Sequence, residues 1–128
     1  MTKKGFALFA LFVSVVSLQA QTKVTVTLDY GAERATETHQ VDWYEGMTAM
    51  TALQGCATIE TYPVKKYIFV TTINGVKNIR GEKAWYYRVN DKNPHKLAYL
   101  FPLKEGDVVR WVYKEDVCSA TVDKKCEK

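Results

Sequence analysis

Residues 23–30 alternate without a slip: Val24, Val26, Leu28 and Tyr30 fall on one face, Lys23, Thr25, Thr27 and Asp29 on the other. A period of two marks a half-buried strand. After the turn residues 31–34, the stretch 36–43 alternates again through His39, Val41 and Trp43, and the two predict an antiparallel hairpin. Glu45-Gly46 breaks the pattern and the period changes. Ala49, Met50, Leu53 and Cys56 recur at helical spacing behind Thr48, a side chain suited to an N-cap. The helix is short, so packing on a sheet must hold it.

Residues 58–66 read as a connection, with Pro63 arguing against a central strand. Tyr67 to Ile73 is a β-branched and aromatic run ended by the tight-turn pair Asn74-Gly75. Residues 83–90 predict a further strand, followed by a polar loop through Asp91, Asn93 and Pro94 and a short apolar piece at 97–101. The Gly106-Asp107 turn then launches a last strand over 108–113. Strand–strand–helix–strand–strand–strand is the plan of an α+β fold of the β-grasp kind, a mixed sheet of about five strands packed on one short helix.

The first twenty residues stand apart. Lys3 and Lys4 precede an apolar run of about thirteen residues, and Ala20 offers a small residue for cleavage before Gln21, the pattern of a secretory signal. The expected organisation is a signal peptide at 1–20, one domain at 21–115 and a polar tail at 116–128. Without Lys3 and Lys4 the formal charge of +4 falls to about +2, too slight to argue for nucleic acid or an anionic membrane. The run is shorter than the about twenty residues a membrane span needs, and the product is expected to be secreted or periplasmic.

Export permits disulfides, and the three cysteines leave one thiol over. Cys118 and Cys126 flank a short segment and could staple the tail, leaving Cys56 as a buried free thiol; pairing of Cys56 with Cys118 stays open. Catalysis finds little support. Ser119 has no histidine near it in sequence, the carboxylates are scattered, and no glycine-rich phosphate loop follows a strand. No metal or cofactor is indicated by the cysteines, which have no CxxC spacing and no neighbouring histidine. His95 sits in a polar loop without a second ligand beside it.

The series Val24–Gly31, Glu45–Leu53, Phe69–Val76, Trp85-Tyr86-Tyr87-Arg88-Val89-Asn90, and Leu103–Asp107 leading to Trp111-Val112-Tyr113 resembles the transcobalamin-like C-terminal domain family over about residues 23–115. Asp91 departs from that family's pattern, which often has glycine there. The resemblance implies a β-grasp module, found appended to animal cobalamin carriers and as a stand-alone form in bacterial exported proteins. It nominates cobalamin as a ligand. The helical domain that covers the other side of the corrinoid in those carriers is absent from this chain, so affinity should be modest or depend on a partner protein or a second copy.

Trp85, Tyr87, Trp111 and Tyr113 suit a flat ligand, because rings offer large apolar area with few rotamers to freeze. Alternation also allows Trp85 and Trp111 to be core. Tyr87, Asn90, Tyr99 and Phe101 are better placed for a ligand, with Asn90 offering a donor and an acceptor or capping the turn. Two functions follow: a non-enzymatic small-ligand-binding module, with a corrinoid the first candidate, or an interaction module that docks an exported partner protein through a sheet edge or exposed aromatics.

Overall fold

The computed structural model describes residues 22–116. They form seven strands, one α-helix and one 3-10 turn: β1 (Lys23–Asp29), β2 (Glu37–Asp42), α1 (Ala49–Gln54), β3 (Ile59–Val64), β4 (Tyr67–Ile73), β5 (Val76–Lys77), β6 (Lys83–Val89), the 3-10 turn Ala98–Leu100, and β7 (Val108–Glu115). The class is α+β, with few helical residues. The strands divide into two sheets, one ordered β2-β1-β7-β6 and one ordered β3-β4-β5. The expected mixed sheet is the first of these: β1 pairs parallel to β7, and its other pairings are antiparallel.

The faces follow the period-two pattern. Val24, Val26 and Leu28 of β1 and Tyr30 just after it are fully buried, with Val109, Trp111 and Tyr113 of β7 and Trp85 and Val89 of β6 beside them. Ala49, Met50, Ala52 and Leu53 of α1 join the same core. Thr48 caps α1 and makes a capping box with Thr51: the Thr51 N–H donates to Thr48 Oγ1 at 3.2 Å, and the Thr48 N–H to Thr51 Oγ1 at 2.8 Å. On the opposite face of the sheet Arg110 bonds Asp29 at 2.8 Å. At the end of β1, Gly31 has φ +62, and a Cβ there would lie 3.0 Å from the Tyr113 carbonyl oxygen, so the turn needs glycine.

The second sheet is where the structure departs from the sequence pattern. Residues 59–64, expected as a connection, form β3. Pro63 is tolerated because β3 is an edge strand with a partner on one side only. A bulge between Glu60 and Thr61 skews the β3–β4 pairing. The base of this sheet is tied to the first by side chains. Trp85 Nε1 donates to the Val76 carbonyl at 2.8 Å, and the Tyr113 hydroxyl to the Lys77 carbonyl at 2.8 Å. Its far half stands away from the core as an arm, with Tyr62 63%, Val64 46%, Tyr67 41%, Ile68 38% and Phe69 40% exposed.

Candidate functional site

Between the arm and β6 lies a cleft of about 1320 Å³. Ile68, Phe69 and Val70 of β4 form one wall, and Trp85, Tyr86 and Tyr87 of β6 the other. Residues 93–98 and Trp111 complete it. The Trp85 N–H donates to Asn78 Oδ1 at 2.9 Å at the base of the sheets. Farther out, the Tyr99 hydroxyl donates to the Lys66 carbonyl at 3.2 Å, joining the tip of the arm to the 3-10 turn. The cleft is therefore framed by two sheet edges rather than scooped out of one surface.

Tyr87 is the central ring. It stacks on Trp111 with centroids 5.1 Å apart, and Phe101 meets it edge-on at 6.4 Å. Its hydroxyl donates to the Lys96 carbonyl. Burial pushes the Tyr87 phenol up to about 12, because a phenolate would lose its hydration there. Trp111 is 2% exposed, and its Nε1–H is buried with no acceptor among the described residues. An unanswered buried donor costs about 1–3 kcal/mol.

The structure thus brings Tyr87, Trp111, Trp85 and Phe101 together, the first three on the cleft wall. Trp85 and Trp111 are at once core and wall. Tyr99 acts at the frame, through its bond to Lys66. Asn90 lies outside the cleft and its amide is consumed by the β6–β7 loop. It has φ +51, its Nδ2 donates to Asp107 Oδ1 at 2.9 Å, and its Oδ1 accepts from the Val108 N–H at 2.9 Å. The turn-capping role considered for it is the one seen.

Sequence reasoning missed the arm residues Tyr62, Ile68 and Phe69, and Lys96 and Leu97 on the wall, where His95, weighed only as a metal ligand, also lies. The unbroken apolar run Tyr67-Ile68-Phe69-Val70 was the available signal, since a strand buried on one face alone alternates. His95 has φ +52 and its N–H donates to Asn93 Oδ1 at 3.1 Å. Cys56 is a half-buried thiol away from the cleft with no disulfide partner among the described residues, pushed up to about 11 by burial and secondarily by the Glu37 charge. Cys118 and Cys126, and the pairing expected between them, lie outside the described residues, as does the expected signal segment. Among the described residues no helix is long and apolar enough to cross a membrane, and no three His, Cys, Asp or Glu side chains are grouped to hold a metal.

The fold defines a small two-sheet α+β domain with a cleft between its sheets. The chain belongs to the family described as "Domain of unknown function (DUF4430)", whose model matches residues 46–115. That span includes α1, the arm and all of the cleft lining except Asp116. Among solved structures, a protein of Ruminococcus gnavus ATCC 29149 described as a "putative metal binding protein" superposes with a TM-score of 0.64 at 17% identity, over 74% of this chain and 98% of that one. At this identity the likeness shows the fold alone. No curated protein matches the chain. No catalytic family is indicated by either similarity.

Proposed function

We propose that the protein is an exported, non-enzymatic binding module whose ligand site is the cleft between the arm and β6, with a corrinoid as first candidate. The observation that supports this most is the wall itself: stacked Tyr87 and Trp111 with Trp85 beside them. At about 1320 Å³ the cleft exceeds the roughly 300–1,000 Å³ usual for a drug-sized ligand and suits a large flat one. The resemblance to transcobalamin-like domains supplies the corrinoid, and the basic-then-apolar leader supplies export to the periplasm or medium.

The description of the Ruminococcus gnavus protein raises a directly bound metal. The donor set here does not fit one, since no three candidate ligands converge among the described residues. The proposal therefore takes a metal already held within its ligand, as cobalt is in a corrinoid. Absorbance titration of folded, mature protein with cyanocobalamin tests the proposal. A saturable shift in the corrin bands at one equivalent supports it, and an unchanged spectrum at high micromolar cobalamin removes this ligand.

A second reading has its own observation. The arm exposes five large apolar side chains within eight positions, 62–69, more than scattered surface hydrophobics require. Docking of an exported protein on the arm would cover them, and cross-linking in the native envelope separates that case from a small ligand.

A further inference from the structure

The β6 edge facing the cleft is open at a single register position. Even-numbered residues of this segment bond toward β7, as the Asn90 N–H does to the Val108 carbonyl at 2.8 Å, so odd-numbered residues turn their main-chain groups away from it. Three odd positions are already answered on that outer side. Lys83 exchanges both bonds with Ile79, at 2.9 and 2.8 Å. The Trp85 N–H meets Asn78 Oδ1 at 2.9 Å, and Val89 exchanges both bonds with Lys92 at 3.1 and 3.0 Å. Between them Tyr87 has neither its N–H nor its carbonyl answered among the described residues, and the Trp85 carbonyl beside it is likewise unanswered. The edge is plugged at both ends and open for three consecutive main-chain groups.

Across the cleft, β4 is open in the same sense. β5 pairs with it only at Thr72 and Ile73, so residues 67–70 have a strand neighbour on the β3 side alone. The charges at the wall are biased. Lys77 and Lys96 have no carboxylate within ion-pair distance among the described residues, whereas Asp116 is engaged by the Gly81 N–H at 2.9 Å and the Tyr86 hydroxyl at 3.5 Å. Glu60 is the remaining carboxylate on the wall, at the outer strand.

A corrin ring would use the aromatic walls but has no need of a strand edge. A peptide unit presents one N–H and one C=O at the spacing that Tyr87 offers, and its side chains alternate above and below that edge. We infer that the cleft takes a short extended oligopeptide with apolar side chains and a free C-terminal carboxylate, one residue of which exchanges two main-chain hydrogen bonds with Tyr87. The open stretch from Trp85 to Val89 spans about 13 Å at ~3.3 Å per residue, room for three or four residues. Lys77 and Lys96 supply the complement to the carboxylate. This rests on the cleft being the ligand site and names the ligand class for it.

The test uses the mature full-length protein, ¹⁵N-labelled, and a synthetic mixture of tetrapeptides with apolar residues at the first three positions and aspartate at the fourth. The Tyr87 amide and Trp111 indole N–H signals are followed by NMR, and hydrogen exchange of the Tyr87 amide is measured beside them. Expected are a saturable shift at Tyr87, exchange slowed at least tenfold, and loss of both with the same mixture N-methylated along its backbone. Altering the peptide rather than Tyr87 avoids a variant that fails to fold. No perturbation at Tyr87, or one that survives N-methylation, overturns the inference. Cyanocobalamin in a parallel arm separates the two levels. Cleft shifts with cobalamin and none with peptides would sink the peptide class alone, and silence from both removes the ligand-site reading with it.

Discussion

Asn74 and Tyr30 are 44 residues apart in sequence, and the Asn74 Nδ2 donates to the Tyr30 hydroxyl at 2.7 Å. One residue in the β4–β5 turn thereby fixes the second sheet to the end of β1. The same asparagine accepts the Thr58 N–H on Oδ1 at 2.9 Å, and its carbonyl accepts from Arg34 at 2.7 Å. With φ +49 it also occupies a backbone region that asparagine tolerates better than most residues. Tyr30 is fully buried and passes a further hydrogen bond to Glu37 at 3.3 Å.

Removing the Asn74 amide should therefore cost more than an ordinary turn substitution. Asn74→Ala leaves the Tyr30 hydroxyl without its donor and the Thr58 N–H without its acceptor, an expected loss of about 2–3 kcal/mol in urea unfolding. Tyr30→Phe should cost about 1–2 kcal/mol, since it leaves the Asn74 Nδ2 unanswered and removes the bond to Glu37. In the double variant the two losses should fall short of additive, because both remove one shared bond. Full additivity would mean that the Asn74–Tyr30 bond contributes nothing.

The two buried tryptophans make a controlled comparison. Trp85 donates from Nε1 to the Val76 carbonyl at 2.8 Å, whereas the Trp111 Nε1–H has no acceptor among the described residues. Tryptophan to phenylalanine removes similar apolar area at either site, but at Trp111 it also removes an unanswered donor. Trp85→Phe should thus be the more damaging by about 1–2 kcal/mol. Paired denaturation curves check this, and equal losses would show that the Trp111 donor is answered in solution.

The sheet faces were legible because burial on one side imprints a period of two. Val24, Val26, Leu28 and Tyr30 declared the core face of β1, and Thr48 declared the start of α1. The arm was not legible in the same way. Pro63 correctly excluded a central strand at 58–66, and an edge strand satisfies that exclusion as well as a loop does. The cleft is a relation between two sheet edges brought together by Asn78, Asn74 and Tyr99, and no local pattern encodes it. Asn90 misled for a related reason. An amide that can greet a ligand can equally close a turn, and its left-handed backbone shows only in the structure.

Cys56 should be a poor nucleophile in the folded protein. Its thiol, pushed from 9.0 to about 11, lies where desolvation disfavours the thiolate, and its Sγ donates to the Leu53 carbonyl at 3.5 Å. At pH 8 the thiolate fraction should be about 100-fold below that of a free cysteine, because each pKa unit changes it tenfold. Iodoacetamide labelling resolved by peptide mass spectrometry measures Cys56 apart from the other cysteines. Labelling should be slow in buffer and recover in urea, and rapid labelling of the native protein would show that the thiol is exposed.

Alkaline titration reports on the centre of the cleft. The folded Tyr87 phenol ionises at about 12 against an ordinary value of 10.0, with burial as the cause. Between those values the unfolded chain has released this proton and the folded chain has not. The unfolded state then binds fewer protons, so stability falls as pH rises from about 10 to about 12. Below pH 10 the Tyr87 contribution is fully present. Tyr87→Phe abolishes this component and should flatten the decline, leaving the weaker contributions of Tyr30 and Tyr113, which burial also raises. Thermal unfolding of both proteins across pH 9 to 12, with tyrosinate absorbance recorded beside it, makes the comparison. Parallel curves would mean that Tyr87 ionises as an exposed phenol and that the cleft is open to water where the rings are seen to stack. A ligand seated against Tyr87 should shift its ionisation higher still, so the same absorbance titration, repeated with the peptide mixture, gives an independent reading of occupancy at that ring.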